Sequence, residues 1–431
     1  MSSVLVVFRL TRLVSVSAPL AQTLSHNISC QFHPCPAKHF STSPSSRMSS
    51  SPKPLDPGVF YEAVKTSGVN FFCGVPDSLL KDFCAYVTSN ASEKDHVIVA
   101  NEGAAVALAS GYHLATGKTA MVYLQNSGLG NMVNPLMSLA NPAVYSIPIL
   151  LLVGWRGEPG IKDEPQHRAQ GGITKNLLEC MDIPCAVLPK DQDEMKALLK
   201  RAHDHFEEKR SPFALLVKSK TFSACKLKTS NDNNFPLTRE EALFKVINCL
   251  DENDAVVGTT GMLSRELFEY RVSMKMGHAR DFLTVGSMGH ASAIALGIAL
   301  HKKDRQVFCL DGDGAVLMHM GTLATIGQQG PPNLKHIVFN NGAHDSVGGQ
   351  PTEAANHDDF DLCAIAKGCG YKEVFVAKTE QEIEEKVQYL HKAKGPILLE
   401  LKVKLGSRSD LGRPTRTTHE NKEDFMDFLR V

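Results

Sequence analysis

No stretch of this 431-residue chain supplies the ~20 consecutive apolar residues that a membrane-spanning helix needs, so the sequence offers no transmembrane reading. Net charge is also missing: 46 basic side chains balance 46 acidic ones, and no global field draws the chain to nucleic acid or an anionic membrane. The 11 cysteines include no CxxC pair with zinc-type spacing, and several (Cys73, Cys249, Cys309) sit inside apolar runs as reduced, buried thiols. No GxGxxG follows the first strand-like segment of either half, which leaves a dinucleotide-binding reading only the sheet pattern for support. A protein that handles a small molecule fits what is left. One more absence is local: the first 55 residues hold no Asp or Glu, while Arg9, Arg12, Lys38 and Arg47 stand among Ser, Thr and apolar residues. This resembles a mitochondrial transit peptide, so a mitochondrial location is expected, with residues 1–55 as a leader outside the fold. A secretory signal competes through the apolar VLVVF run, and Met48 as an internal start would leave a cytoplasmic protein.

From residue 56 onward, short apolar runs alternate with helical patterns. NFFCGV, HVIVA, TAMVYL, PILLLVG, CAVLP and FALLVK read as strands of a parallel sheet covered on both faces. After a polar segment at 229–236 the alternation restarts with AVVGTT, DFLTVG, QVFCL, HIVFN, EVFVA and PILLEL. Each half closes on a charged helix, a turn with Pro and an apolar strand (SPFALLVKSK, GPILLELKVK), a coarse internal echo. The expected fold is therefore α/β: two doubly wound parallel-sheet domains at 56–228 and 237–431, with 229–236 between them and no room for a middle domain.

Chemistry concentrates around Gly312-Asp313-Gly314-Ala315, followed by Asn340-Asn341 after a helix-length spacer. Residues 305–310 (RQVFCL) predict a buried strand, 316–329 a helix, and HIVFNN the neighbouring strand. Glycines at such a strand end leave room for phosphate oxygens near backbone amides and a helix N-terminus. Asp313 and Asn341 would then emerge at one sheet edge and offer oxygens to a hard cation such as magnesium. A GDG tripeptide alone also serves in ordinary turns.

With NN at this separation, GDG resembles the cofactor signature of thiamine-diphosphate enzymes. The segments GVPDSLLKDF (74–83), NEGAAVALASGYHLATGK (101–118), QNSGLGNMVNPLMSL (125–139), GWRGEPGIKDEPQH (154–167), GSMGHASAIALGIAL (286–300) and NNGAHDSVGGQPT (340–352) extend the resemblance to the phosphonopyruvate decarboxylase family over 56–431. The resemblance implies thiamine diphosphate and Mg2+ as cofactors, a pyrimidine-binding first domain and a diphosphate-binding second one. It implies decarboxylation of 3-phosphonopyruvate to phosphonoacetaldehyde and carbon dioxide, within 2-aminoethylphosphonate synthesis. Sulfopyruvate or another anionic 2-oxo acid is the alternative substrate, and a catalytically silent cofactor-binding scaffold the alternative role. A homodimer or higher assembly is implied as well, with Glu102 and Asp313 of one site drawn from different subunits.

Residue by residue, Glu102 is the implied catalytic group, hydrogen-bonding the aminopyrimidine; on its residues alone it equally suits a charged helix N-terminus. Implied cofactor positions are Thr259, Thr260, Gly261, Gly286 through its carbonyl, Met288 as an apolar wedge, and Gly312, Asp313, Gly314, Ala315 and Asn341. Asp313, Asn341 and the Ala343 carbonyl are the implied metal ligands. The step from Asp313 to Asn341 is 28 residues, one longer than the family's usual spacing, which leaves Asn340 open as the ligand instead. A substrate with about three negative charges calls for cations and amides. Candidates are Arg156 and His167 with Arg168, then His113, His290, His344, Lys220, Arg408 and Arg413. Asp77 and Ser78 are secondary candidates, Asp77 also suiting the N-cap of the helix that follows.

Overall fold

The structure, a computed structural model, describes residues 53–228, 233–357 and 359–431. Nearly all of the expected leader, Met48 included, lies outside the described residues, as do 229–232 of the expected connecting segment.

The apolar runs are too short for helices and rich in Val, Leu, Ile and Phe, and they form strands in both halves. The first half contains Phe71–Gly74 (β1), His96–Ile98 (β2), Ala120–Gln125 (β3), Ile149–Gly154 (β4), Cys185–Val187 (β5) and Phe213–Val217 (β6). The second contains Ala255–Gly258 (β7), Asp281–Leu283 (β8), Val307–Gly312 (β9), Leu334–Asn340 (β10), the two-residue strands Ala343–His344 (β11) and Gln350–Pro351 (β12), then Glu373–Ala377 (β13) and Ile397–Lys402 (β14). Two six-stranded parallel sheets result, ordered β2-β1-β3-β4-β6-β5 and β13-β14-β10-β9-β7-β8. Reading the second from its β8 end gives the first order again, with β7 in the place of β1 and β9 in the place of β3. The coarse echo in the sequence is thus a repeat of topology.

Burial explains why central strands read as unbroken apolar runs. Every residue of β4 is buried, its alternate side chains entering the apolar layers on opposite sheet faces. Removing a Leu of this kind from water contributes roughly 1.5–3 kcal/mol per side chain. At the margin of the second sheet, β8 is covered by the helix Thr418–Arg430: Asn421 accepts from Leu283 N (3.0 Å) and donates to Asp281 O (2.7 Å), while Phe425 packs on Phe282. Among the described residues no helix is long and apolar enough to cross a membrane.

One expected element is split. In place of a continuous helix over 316–329 there are two, Asp313–Met318 and Gly321–Gln329, because His319 leaves helical geometry at φ −131°, ψ 47°. The break frees the Met318 carbonyl, which accepts a hydrogen bond from Asn101 of the first half.

In sheets of this order the chain leaves in opposite directions from the carboxyl ends of β1 and β3, and again from those of β7 and β9. A crevice opens at each such point, and it is where ligands bind in open α/β folds.

Candidate active site

The second sheet's crevice is built from three loop starts. Thr259 follows β7 and extends its ladder through N–H to Leu310 O (2.9 Å), and Gly261, at φ +101°, turns the chain into the helix Met262–Ser273. Gly312 ends β9, so Asp313 opens the next helix only 4 % exposed. Thr352 Oγ1 donates to Asp313 Oδ2 at 2.6 Å. Burial nevertheless pushes this carboxyl up to about 7, opposed by the Thr352 bond and raised further by the nearby Asp345 charge. A nearby cation would stabilise the ionised form of a carboxyl so placed.

The third loop follows β10 and separates the two asparagines. Asn340 spends its amide inside the sheet, donating to Glu400 Oε1 (2.6 Å) and accepting from Gly342 N (3.0 Å). Asn341 enters the β11–β12 hairpin, donating to Asp345 Oδ2 (2.7 Å) and accepting from Ala343 N (3.1 Å). That hairpin also brings Thr352 to Asp313, since Thr352 N donates to Gly342 O at 3.0 Å. Asp345 is held in turn by Arg239 (2.9 Å), which clamps Glu266 with two further bonds.

Gly314 floors this cradle. A Cβ there would stand 3.2 Å from His344 Cε1 and 3.4 Å from Met288 Cε. His344 is buried, its Nε2 has no hydrogen-bond partner among the described residues, and burial lowers the ring to about 4, so it is a neutral imidazole at neutral pH.

The first sheet's crevice presents carboxyls. Glu102 begins the helix Glu102–Thr116 but is only 5 % exposed, which excludes a solvated helix-end charge. Asn131 Nδ2 donates to its Oε2 (2.7 Å), and burial raises its carboxyl against that bond. Gly128 permits this placement, because a Cβ there would fall 2.2 Å from Glu102 Oε1. The Gly128 backbone itself is right-handed and accepts Ala readily. Gly128→Ala is therefore expected to cut turnover by about 100-fold through displacement of Glu102, with little change in melting temperature; kcat and a thermal melt measured on one preparation check it.

Asp77 lies fully buried beyond β1, accepting from Gln125 Nε2 (2.5 Å) and Leu79 N (2.9 Å). Burial raises its carboxyl most, the Gln125 bond and Arg156 acting the other way. It does not cap the helix that follows, Lys81–Asn90, whose N-cap Leu80 makes no side-chain bond. Arg156 reaches Ser78 Oγ (2.8 Å) and takes Asp163 in two bonds of 2.9 and 2.5 Å, with its backbone pinned by Asn126.

Loops of the two halves touch within the chain. Asn101 Nδ2 donates to Met318 O (3.4 Å), Gln350 Nε2 to Lys81 O (3.4 Å), and Ala100 N–H to the Glu353 carboxyl. Gln166 Cβ lies 3.3 Å from where a Gly286 Cβ would be.

Comparison with known proteins agrees with this two-part architecture. The thiamine pyrophosphate enzyme N-terminal TPP binding domain matches residues 58–178, and the C-terminal TPP binding domain of the same enzymes matches 258–401. Phosphonopyruvate decarboxylase of Streptomyces viridochromogenes is 36 % identical over 377 residues, covering 84 % of this chain and 92 % of that protein. Its namesake from Streptomyces hygroscopicus is 35 % identical, covering 84 % and 90 %. Sulfopyruvate decarboxylase of Methanosarcina acetivorans is 27 % identical, covering 75 % and 85 %. The chain belongs to the thiamine pyrophosphate enzymes, in the phosphonopyruvate decarboxylase family.

Set against that family, the expected residues divide. Thr259, Thr260, Gly261, Met288, Gly312, Asp313, Gly314, Ala315, Asn341, Ala343 and His344 belong to the loops of the second crevice, and Asp77, Ser78, Glu102 and Arg156 to those of the first. Gly286 lies where the halves meet, against Gln166; half-buried His167, the next residue, is lowered by burial and by Arg156. His113 is misplaced as a substrate group. It sits in the last turn of the helix that Glu102 begins, half-buried, with Nδ1 against Lys118 O (3.0 Å), and at ~1.5 Å per residue this is the far end from the crevice. His290 is exposed and faces His319, ring centroids 4.3 Å apart. Arg408 is tied to Glu240 and Glu269, and Arg413 to Glu164 (2.7 Å).

Thr352, Asn131, Gln125 and His319 went unread in the sequence. Thr352 lies 39 residues from Asp313 and Asn131 29 from Glu102, with no local pattern to join them. The mitochondrial expectation is overturned by the two Streptomyces relatives, which are bacterial proteins; an acid-free, Ser-rich composition is no address by itself.

Proposed function

We propose that this thiamine-diphosphate enzyme decarboxylates 3-phosphonopyruvate, breaking the bond between the keto carbon and the carboxylate, releasing carbon dioxide and leaving phosphonoacetaldehyde once a proton takes the vacated position. The observation that carries this reading is a buried, raised carboxyl at each crevice, Glu102 in the first half and Asp313 in the second. The two family relatives named for that substrate support the choice of acid. When bound, thiamine diphosphate supplies a nucleophilic ring carbon and a sink for the electron pair that carbon dioxide leaves behind.

The residues fit that group. Buried Asp313, raised by burial, would bind Mg2+ together with oxygens from Asn341 and the Ala343 carbonyl. Asn340 is the weaker choice, being the last residue of β10 and fully buried, whereas Asn341 stands on the loop beyond the strand end. Gly312 to Ala315 and Thr259 to Gly261 would hold the diphosphate, with Gly286 and Met288 against the rings. Glu102 would hold and exchange a proton at the pyrimidine, its raised carboxyl suited to both states. The domain limits 56–228 and 237–431 and a homodimer belong to the same reading; Leu114, 74 % exposed, and the exposed Ile161 and Ile173 of the first half favour self-association.

For the phosphonate, Arg156 is the best-prepared cation: Asp163 and Ser78 occupy three of its five N–H donors and fix the plane of the rest. Arg156→Ala is expected to raise KM for phosphonopyruvate about 10- to 100-fold with a smaller change in kcat; steady-state kinetics check it. The reading as a whole is tested by carbon dioxide release from phosphonopyruvate, sulfopyruvate and pyruvate at equal concentration, with and without Mg2+ and thiamine diphosphate. Cofactor-dependent release fastest with phosphonopyruvate is expected. Faster release from sulfopyruvate would replace the substrate, and no release from cofactor-loaded protein would leave a scaffold.

A further inference from the structure

Directly behind the Gly312-Asp313-Gly314 loop lies a polar chain that the site described so far does not use. Asp311, the penultimate residue of β9, is fully buried; its Oδ1 accepts from Gly312 N (3.0 Å) and its Oδ2 stands 3.5 Å from His336 Nε2. His336 lies on β10, also fully buried, and its Nδ1 meets the Tyr371 hydroxyl at 3.0 Å. Around them is an apolar layer that includes Val307, Cys309, Val338, Leu362, Ala366 and Leu398.

Burying three polar side chains in such a layer is costly unless they satisfy one another. The Tyr371 hydroxyl meets this need at Nδ1, whereas Asp311 Oδ2 and His336 Nε2 approach to 3.5 Å without forming a hydrogen bond and have no other partner among the described residues, which makes theirs the loose link of the chain. Asp311 keeps one oxygen on the Gly312 amide and turns the other toward the ring. It sits two residues from Asp313, beneath the position proposed for the cation.

We propose that Asp311, His336 and Tyr371 form a positioning relay for cofactor loading: through its bond to Asp311 the Gly312 amide is fixed, and with it the direction in which Asp313 is presented. Outer partners of this kind commonly govern metal affinity by about 10- to 100-fold. The relay acts on binding and not on the chemical step, since none of its groups reaches the crevice except through Gly312 and Asp313.

The same cluster invites a different use. Cys309 Sγ, an Asp311 oxygen and a His336 nitrogen lie within 4.8 Å of one another. A zinc ion there would take both Asp311 and His336 out of the relay.

The test measures thermal stabilisation of the full chain against the concentration of thiamine diphosphate with magnesium chloride, alongside kcat at saturation and metal content of the purified protein. Asp311→Asn is expected to raise the half-stabilising concentration about 10- to 100-fold while saturated kcat stays within about threefold. Tyr371→Phe, which removes one hydroxyl and no volume, is expected to shift it in the same direction by a smaller factor, and it decides the matter if Asp311→Asn does not fold. Unchanged half-stabilising concentrations with a lower melting temperature would overturn the relay, leaving a structural network. One tightly held zinc per chain would overturn it too. The inference rests on Asp313 as the cation ligand; a wild-type protein whose stability ignores both cofactors would sink that reading as well, whereas a responsive wild type with unresponsive variants sinks the relay alone.

Discussion

Glu102→Gln is expected to lower turnover by about 10²- to 10⁴-fold while thiamine diphosphate still binds. The substitution is nearly isosteric, and its amide oxygen can accept the Asn131 bond that Oε2 accepts now at 2.7 Å. Gly128 still leaves the side chain its space, so the crevice keeps its shape. What disappears is a group able to gain and lose a proton. Burial raises the Glu102 carboxyl, which narrows the gap between its two states near neutral pH, and an amide has no such states. Steady-state kcat measured beside cofactor-induced thermal stabilisation separates the effects. Wild-type turnover in the variant would remove Glu102 from catalysis.

The second large effect belongs to Asp313. Asp313→Ala is expected to abolish magnesium-dependent binding of thiamine diphosphate and, with it, detectable turnover. The alanine also leaves the Thr352 hydroxyl without its acceptor. A pH signature accompanies this. In the cofactor-free protein the Asp313 carboxyl titrates near 7, above its ordinary 3.8, so between these values the folded chain binds more protons than the unfolded one. Stability falls as pH rises wherever the folded state holds the extra protons, so this residue destabilises the apoprotein progressively across that window. Magnesium competes with the same proton, and its half-saturating concentration should drop as pH climbs toward 7, then level off. Melts of apo wild type and Asp313→Asn at pH 5 and pH 8 check the first statement, since the variant lacks this contribution; magnesium titrations of the wild type check the second. A pH-independent magnesium requirement would count against Asp313 as ligand.

The fold could be read from the chain because its signals are local. The wholly buried β4 announces itself as ILLLVG, and a strand inside a covered sheet has no polar face to break the run. Asp313 and Glu102 were legible for a similar reason, each flanked by small residues that admit close packing. Their partners were not. Thr352 meets Asp313 only because β11 and β12 fold back, and Gln125 meets Asp77 across 48 residues of sequence. His113 shows the opposite failure: its residue type suggested an anion site, but helix length carries it away from the crevice. The split at His319 was invisible because helical periodicity continues through it.

The outer position of β8 carries a further consequence. A strand at a sheet margin exposes peptide groups that can template another chain, and proteins protect such margins with covering elements. Asn421 occupies two of those groups, the Leu283 amide and the Asp281 carbonyl, with a single side chain. The helix that carries it therefore acts as a guard against sheet extension: loosening it would present β8 to a second copy and favour aggregation before it disturbed either carboxyl of the active site.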